Sequence, residues 1–371
     1  MKIGVLTLPF NNNYGGYLQA IALMETLRRL GHQPVIIYRR NNTASFLKRI
    51  KFFALGIRGV FNNKKKHPFW VDSEKVFRYR GKEMIPFAKK YLKDITPPIY
   101  SEEKLRGLAE EYDAFIVGSD QVWRPIYVPG IEDYFFQFLG ASDKKRIAYA
   151  ASFGNTSPEY TEDQIAICGE LLKQFTAVSL REESGKEVFS KFNWNYSEAK
   201  VVLDPTLLIN KEFYMTMLDN TSGVSKGKLF CYILDSNMDT EEIEKRIVEN
   251  QRLTSSYILN KANWESRNYV MPSIQSWLDG FYTSEYVLTD SYHGTVFAII
   301  FNKPFVVYAN KRRGIDRFKS LLGFFHLEDK LVTDPSMIDQ ALLVPIDWQE
   351  VNRRLLDGRE QSISFLKSSL A

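Results

Sequence analysis

The sequence predicts an α/β protein built from two doubly wound halves. Short apolar runs of strand length alternate with longer stretches of helical spacing along nearly the whole chain. That rhythm stops in a polar stretch, Asn210–Lys226, and then starts again. At 371 residues the chain has material for two cores. The expected division is a first half over residues 1–210, a second over 211–345, and a final helix at 346–371 that packs back on the first half.

Ile3–Leu8 reads as a buried parallel strand. After the polar turn Pro9–Tyr14, Gly15-Gly16 opens a helix to about Leu30, and Gly31 stands where a glycine ends a helix. Pro34–Tyr38 is the next strand, so the Asn/Gly turn of this βαβ unit lies at a strand's carboxyl end. It carries neither the G-x-G-x-x-G dinucleotide fingerprint nor the Gly-Lys-Ser/Thr of a P-loop. Asn13, Tyr14, Gly15, Gly16 and Gln19 are candidates for a pocket that takes a polar ligand; a tight turn needing glycine fits the same residues. Arg39–Trp70 breaks the rhythm: within residues 46–66, Phe46, Ile50, Phe53, Ile57 and Val60 keep helical spacing among Lys48, Arg49, Lys51 and Arg58, before Lys64-Lys65-Lys66. A basic amphipathic helix either packs on the domain with its charges solvated, the favoured reading, or lies on an anionic membrane surface. Glu74–Leu92 and Glu102–Tyr112 read as helices.

Ala114–Val117 is a buried strand that ends in Gly118-Ser119-Asp120-Gln121-Val122-Trp123. A carboxylate, an amide and an indole at one strand end suit a sugar, whose hydroxyls bond to the acid while its apolar face covers the ring. Asp120, Gln121 and Trp123 are candidates on that ground, against a capped turn with Trp123 packed in an interface. Arg146–Ala151 is a strand with a third polar end, Ser152-Phe153-Gly154, and Glu162–Gln174 is a helix. Ala177–Leu180 is a strand that runs into Arg181–Gly185 and a further helix; Lys200–Leu203 leads to Asp204-Pro205.

In the second half Leu229–Leu234 and Ser256–Leu259 read as strands, Glu241–Gln251 and Ser273–Phe281 as helices. Tyr286–Ile300 is the stretch the chain turns on: an apolar strand, a polar turn through Thr289–Gly294, then the apolar helix from Thr295. Ligands bind at such places, where a strand ends and a helix begins. Of the four histidines, His293 alone stands among Asp, Ser and Gly. A strand-end cap with a hydrogen-bonded core histidine is the plain reading of this spacing, and a ligand-facing imidazole is the functional one. Pro304–Tyr308 is a strand, Lys311-Arg312-Arg313 follows, Gly314–Leu322 carries Arg317 into a helix, and Trp348–Leu370 is a final helix with Leu355, Ile363 and Leu366 inward.

Composition narrows the field. A net charge of +5 is too modest for nucleic acid. Cys168 and Cys231 stand far apart, without the spacing of a metal site or a disulfide framework, which fits a reducing compartment. The first apolar run is too short for a signal peptide and no uninterrupted run spans a bilayer, so a cytoplasmic protein is expected. The many aromatic residues suit sugar binding, though a large aromatic core accounts for them better.

Six segments together resemble one family, the polysaccharide pyruvyl transferases: NNNYGGYLQAIAL (Asn11–Leu23), GSDQVW (Gly118–Trp123), YAASFG (Tyr149–Gly154), SLREESG (Ser179–Gly185), VLDPTLL (Val202–Leu208) and TDSYHGTVFAIIFNKPFVV (Thr289–Val307). Each is weak alone; their joint order, over nearly the whole chain, is specific. The resemblance is to the branch found with bacterial surface polysaccharides. It implies two Rossmann-like domains facing across a cleft, a GT-B-like architecture, with the acceptor on the first half and the donor on the second. It implies phosphoenolpyruvate as co-substrate, no cofactor, and a sugar or lipid-linked oligosaccharide as acceptor, the product being a pyruvate ketal on two hydroxyls. The enzyme would work in the cytoplasm or peripherally on the inner membrane surface. The family's catalytic histidine falls on His293. Some members place an arginine two residues earlier, where this chain has Ser291, so another cation must supply that charge; Arg181, Arg313 and Arg317 are the candidates.

On that reading His293 is the general acid, since an imidazole titrates near the working pH. Ser291 and the amides of Gly294 and Thr295 would hold phosphate or carboxylate, and Asp120 would bind acceptor hydroxyls and act as base. The chemistry calls for no metal, and no ligand cluster of metal-site spacing is present. Two rivals remain: a glycosyltransferase or sialyltransferase of the same architecture that uses a nucleotide sugar, and a non-catalytic polysaccharide-binding protein.

Overall fold

The computed structural model describes residues 1–10, 12–40, 78–218, 227–259, 269–309 and 314–371. Asn11, the basic stretch at 46–66 and Arg313 lie outside the described residues.

Two parallel sheets organise the chain. The first contains β1 (Lys2–Leu6), β2 (Gln33–Ile36), β3 (Ala114–Asp120), β4 (Lys145–Ala151), β5 (Ala177–Leu180) and β6 (Lys200–Val201), in the order β2-β1-β3-β4-β5-β6. The second contains β7 (Lys228–Tyr232), β8 (Thr254–Tyr257), β9 (Tyr286–Thr289), β10 (Phe305–Tyr308) and β11 (Leu331–Val332), in the order β11-β10-β9-β7-β8. The described pairings are parallel. Strand order reverses between β1 and β3 in one sheet and between β7 and β9 in the other. Those reversals open a crevice at the strands' carboxyl ends.

The described α-helices of the first half are α1 (Tyr14–Arg29), α2 (Ile85–Tyr91), α3 (Glu102–Leu108), α4 (Glu162–Leu172), α5 (Ser184–Lys191), α6 (Pro205–Leu208) and α7 (Lys211–Met215). In the second half they are α8 (Met238–Gln251), α9 (Ile274–Thr283), α10 (Tyr292–Ile300), α11 (Asp316–Phe325), α12 (Ile338–Leu343) and α13 (Trp348–Leu370). Caps set several boundaries. Thr161 and Gln164 exchange hydrogen bonds at the start of α4, and Asn237 and Thr240 do so at α8.

Strand side chains alternate between two layers, as the pleat requires. Ile3 and Val5 face one core, Leu6 the other; Val287 and Leu288 divide in the same way. The inner core is shared by the two halves: Tyr14, Leu18, Tyr232, Trp277, Phe297 and Leu366 all belong to it. Helix α10 lies at its centre, with all nine residues buried. An apolar helix without a polar face has no other place to go. Helix α13 returns to the first half, where the Ser362 hydroxyl accepts from the Leu203 N–H at 3.0 Å and Arg359 donates to the carbonyls of Leu207 and Ile209. Among the described residues no helix is long and apolar enough to cross a membrane.

One boundary matters for the site. Helix α10 begins at Tyr292, earlier than the polar composition of Thr289–Gly294 suggested. Ser291 is its N-cap, with its hydroxyl accepting from the Gly294 N–H at 3.3 Å. His293 therefore stands inside the first helical turn.

Candidate functional site

The first turns of two helices, one from each half, meet at the crevice. Strand β1 delivers α1 and strand β9 delivers α10. Gly15 in α1 touches the imidazole of His293 so closely that a Cβ there would stand 2.1 Å from Nδ1. Gly294 plays the matching part within the second half, because a Cβ there would stand 2.2 Å from the Thr289 hydroxyl oxygen. Beside them Tyr14 stacks on Trp277, with ring centroids 5.5 Å apart and planes 16° apart, and its hydroxyl donates to the Pro272 carbonyl at 2.9 Å. The halves also touch where Gly314 meets the Gly154 carbonyl.

Behind the imidazole lies a buried charge cluster contributed by the first sheet. The Arg181 side chain is fully buried. Its Nη1 lies 3.3 Å from Asp120 and 3.2 Å from Asp204, and its Nε lies 3.4 Å from Glu182. The Tyr292 ring covers the guanidinium at 4.4 Å. Among the described residues Arg181 Nη2 is buried without a hydrogen-bond partner. Glu182 in turn accepts from the Ser152 hydroxyl. Burial disfavours the Arg181 charge, but Asp120, Glu182 and Asp204 outweigh it and hold the guanidinium above its ordinary range. Half-buried Arg317 on α11 approaches the same cluster; burial, then Arg181, push it downward.

Asp204 links the cluster to His293. It caps α6, with Oδ1 accepting from the Thr206 amide at 3.1 Å and hydroxyl at 2.7 Å. Its Oδ2 accepts from the Ser119 hydroxyl at 3.2 Å and lies 3.7 Å from His293 Nε2. Burial alone would raise this carboxyl; His293, Arg181 and Thr206 together hold it well below the ordinary carboxylate range. Among the described residues no set of three His, Cys, Asp or Glu side chains converges as a metal site.

Of the residues singled out in the sequence, the fold gathers His293, Gly15, Asp120, Arg181 and Arg317. Asp120 is buried in a left-handed backbone conformation, φ 71°, with Oδ1 accepting from the Gln121 amide. Several others do different work from that expected. Trp123 is fully buried against Phe135 and Phe153, and its N–H donates to the Tyr134 carbonyl, so it offers no ring face to a sugar. Tyr14 is equally buried, as part of the contact between halves. Gln19 is buried as a tie: its amide donates to Thr7 at 2.7 Å and its carbonyl accepts from the Ser119 N–H at 3.1 Å. Gly16 has room for a Cβ, which would come no nearer than 3.4 Å to Asn13, and Asn13 stands at the N-cap of α1 without a capping bond. Gln121 sits at the edge, beside Gly154 and 3.4 Å from Arg124 Nη1. The Gly294 amide is taken by the Ser291 hydroxyl and the Thr295 amide by the Ser291 carbonyl, so neither is open to an anion in this arrangement. Asp204 and Glu182 went unassigned because an acid before proline, or after a strand, reads as a helix start.

Three comparisons bear on identity. Residues 13–312 match the polysaccharide pyruvyl transferase family. No curated protein matches the chain. Similar solved structures include UDP-N-acetylglucosamine 2-epimerase from Rickettsia bellii, at 11% identity over 99% of this chain and 96% of that one, TM-score 0.51. UDP-GlcNAc 2-epimerase from Neisseria meningitidis bound to UDP-GlcNAc follows at 10%, with 100% and 99% covered and TM-score 0.50. An alpha-glucosyltransferase in complex with UDP and a 13-mer DNA is similar at 10%, with 99% and 95% covered and TM-score 0.50. At such identities the likeness speaks for the fold, which is GT-B: two Rossmann-like halves facing across a cleft. With most of its length matched, the chain belongs to the polysaccharide pyruvyl transferase family.

Proposed function

We propose that the protein transfers the enolpyruvyl group of phosphoenolpyruvate to two hydroxyls of a sugar, in a surface polysaccharide or its lipid-linked precursor, and closes a pyruvate ketal. The observation that carries this reading is His293, an imidazole at a helix start, meeting buried arginine and carboxylate groups at the facing strand ends of a chain of this family. His293 delivers a proton to the enol methylene, which becomes the ketal methyl. Two C–O bonds form at the central carbon and the bond to phosphate breaks. Of the two hydroxyl protons released, one restores His293 and the other leaves with phosphate.

Arg317, and Arg181 through its unpartnered Nη2, supply positive charge for the donor. The N–H groups of Tyr292 and His293 precede the first intrahelical bond of α10 and point toward any anion at that terminus. Asp120 takes the acceptor hydroxyls. The second half serves the donor, with Arg181 reaching in from the first, and the first half serves the acceptor, with the enzyme working in the cytoplasm or at the membrane face where lipid-linked acceptors lie. His293 is only 7% exposed, so the halves part to admit substrate.

The test is phosphate release from phosphoenolpyruvate with a panel of free and lipid-linked galactosides, mannosides and glucosamine derivatives. His293→Ala should fold normally and lose roughly two to four orders of magnitude in turnover. Near-normal turnover in that variant removes His293 from the mechanism. Thermal stabilisation by a UDP-sugar and not by phosphoenolpyruvate would favour the nucleotide-sugar rival instead.

A further inference from the structure

Asp204 has no part in the chemistry described so far, yet it is the carboxylate nearest the imidazole among the described ion pairs of His293, and it comes from the opposite half of the molecule. We infer that Asp204 is the positioning residue of His293: a carboxylate held by the first half that orients the ring of the second and keeps its proton on Nε2. The inference rests on the reading of His293 as the acid.

Three features support it. First, both oxygens of Asp204 are held by hydrogen bonds. Its Oδ1 is fixed by the amide and hydroxyl of Thr206, and its Oδ2 by the Ser119 hydroxyl and Arg181 Nη1. A fixed, ionised acceptor is what an orienting partner needs. Second, among the described residues His293 Nε2 is buried with no partner at hydrogen-bond distance, and Asp204 Oδ2 at 3.7 Å is the acceptor it faces. A shift of less than 1 Å as the halves settle on substrate closes that gap; such bonds commonly tighten in the substrate complex. Third, the other ring nitrogen, Nδ1, lies beside the α-carbon of Gly15, where no side chain stands in the way. The ring is thus divided, with one nitrogen toward the fixed carboxylate and the other beside bare backbone. Beside Asp204 lies a cavity of about 50 Å³ also lined by Arg181, Tyr292, Ser320, Gln361 and Ser362. It has room for water beside the carboxylate.

The tautomer of His293 is read directly by long-range ¹H–¹⁵N correlation spectra of the wild-type protein without substrate. Four histidines make the spectrum tractable, and His293→Gln assigns the signal. The expected result at alkaline pH is the Nε2–H tautomer; an Nδ1–H tautomer overturns the inference. This measurement needs no turnover, so it stands or falls apart from phosphoenolpyruvate chemistry, whose own failure would appear as no phosphate release by wild type. Asp204→Asn keeps the acceptor for Thr206 and removes the charge. It should lower kcat between about 10-fold and 10⁴-fold and leave the KM for phosphoenolpyruvate unchanged or lower, since an anion has been removed near an anionic donor. A raised KM at unchanged kcat would assign Asp204 to binding and overturn the proposal. Should this variant fail to fold, the wild-type tautomer decides alone.

Discussion

Gly15 contributes by having no side chain. The imidazole and the first turn of α1 share a volume in which a methyl group would stand 2.1 Å from Nδ1. Gly15→Ala should therefore displace the ring and cost the fold about 1–3 kcal/mol of overpacking, offset in part because glycine to alanine in a helix otherwise favours the helix. A misplacement of about 1 Å at the reacting group is worth roughly 10²-fold. Phosphate release should fall by about that factor while the protein still unfolds in a cooperative thermal transition at a lowered midpoint; full activity would show that Nδ1 need not face Gly15. At this scale the sequence was legible where a residue type is rare in its setting, as with His293 among Asp, Ser and Gly. It was not legible at Trp123. Ring and carboxylate adjacent in sequence say nothing about which side of a strand end each takes, and Phe135 and Phe153 enclose the indole.

Among the elements, α10 and α13 hold the site together. Helix α10 begins where Ser291 caps it, and that cap consumes the Gly294 amide expected to face the donor. Ser291, the neutral residue two positions before His293, works here as the N-cap. Helix α13 reaches across to the strand end that carries Asp204. Its Ser362 satisfies the buried N–H of Leu203, and its Arg359 satisfies carbonyls that close α6. Ser362→Ala leaves the Leu203 N–H without its acceptor, and should cost about 1–3 kcal/mol of stability in a urea titration. No loss of stability would mean that water replaces the hydroxyl from the adjoining cavity. The periodicity of Trp348–Leu370 identified this helix; which carbonyls it would cap depended on where α6 lay.

For the whole molecule, buried charge is concentrated between the halves, and acid should find it. Asp204 has a native pKa below its unfolded value of about 3.9. Its contribution is present above that unfolded value and is lost as pH falls toward the depressed native one. Asp133 opposes it: burial raises this carboxyl despite Arg39, so its term favours the folded state more as pH falls. The larger displacement is at Asp204. The thermal midpoint should drop between about pH 4 and pH 2, and Asp204→Asn, though less stable at neutral pH, should show a shallower drop over that window. Equal slopes would place the acid-sensitive groups elsewhere.

Apolar periodicity, glycine and proline placement, and chain length were enough to determine two parallel-sheet halves and to mark the strand ends where a ligand would sit. These are local properties: a strand or an amphipathic helix declares itself within a dozen residues. The facing of those ends was a tertiary matter. Gly15, Asp204 and His293 are brought together from three places in the chain by a core shared between the halves. Contacts of that kind depend on how two surfaces pack, and packing leaves no period in a sequence.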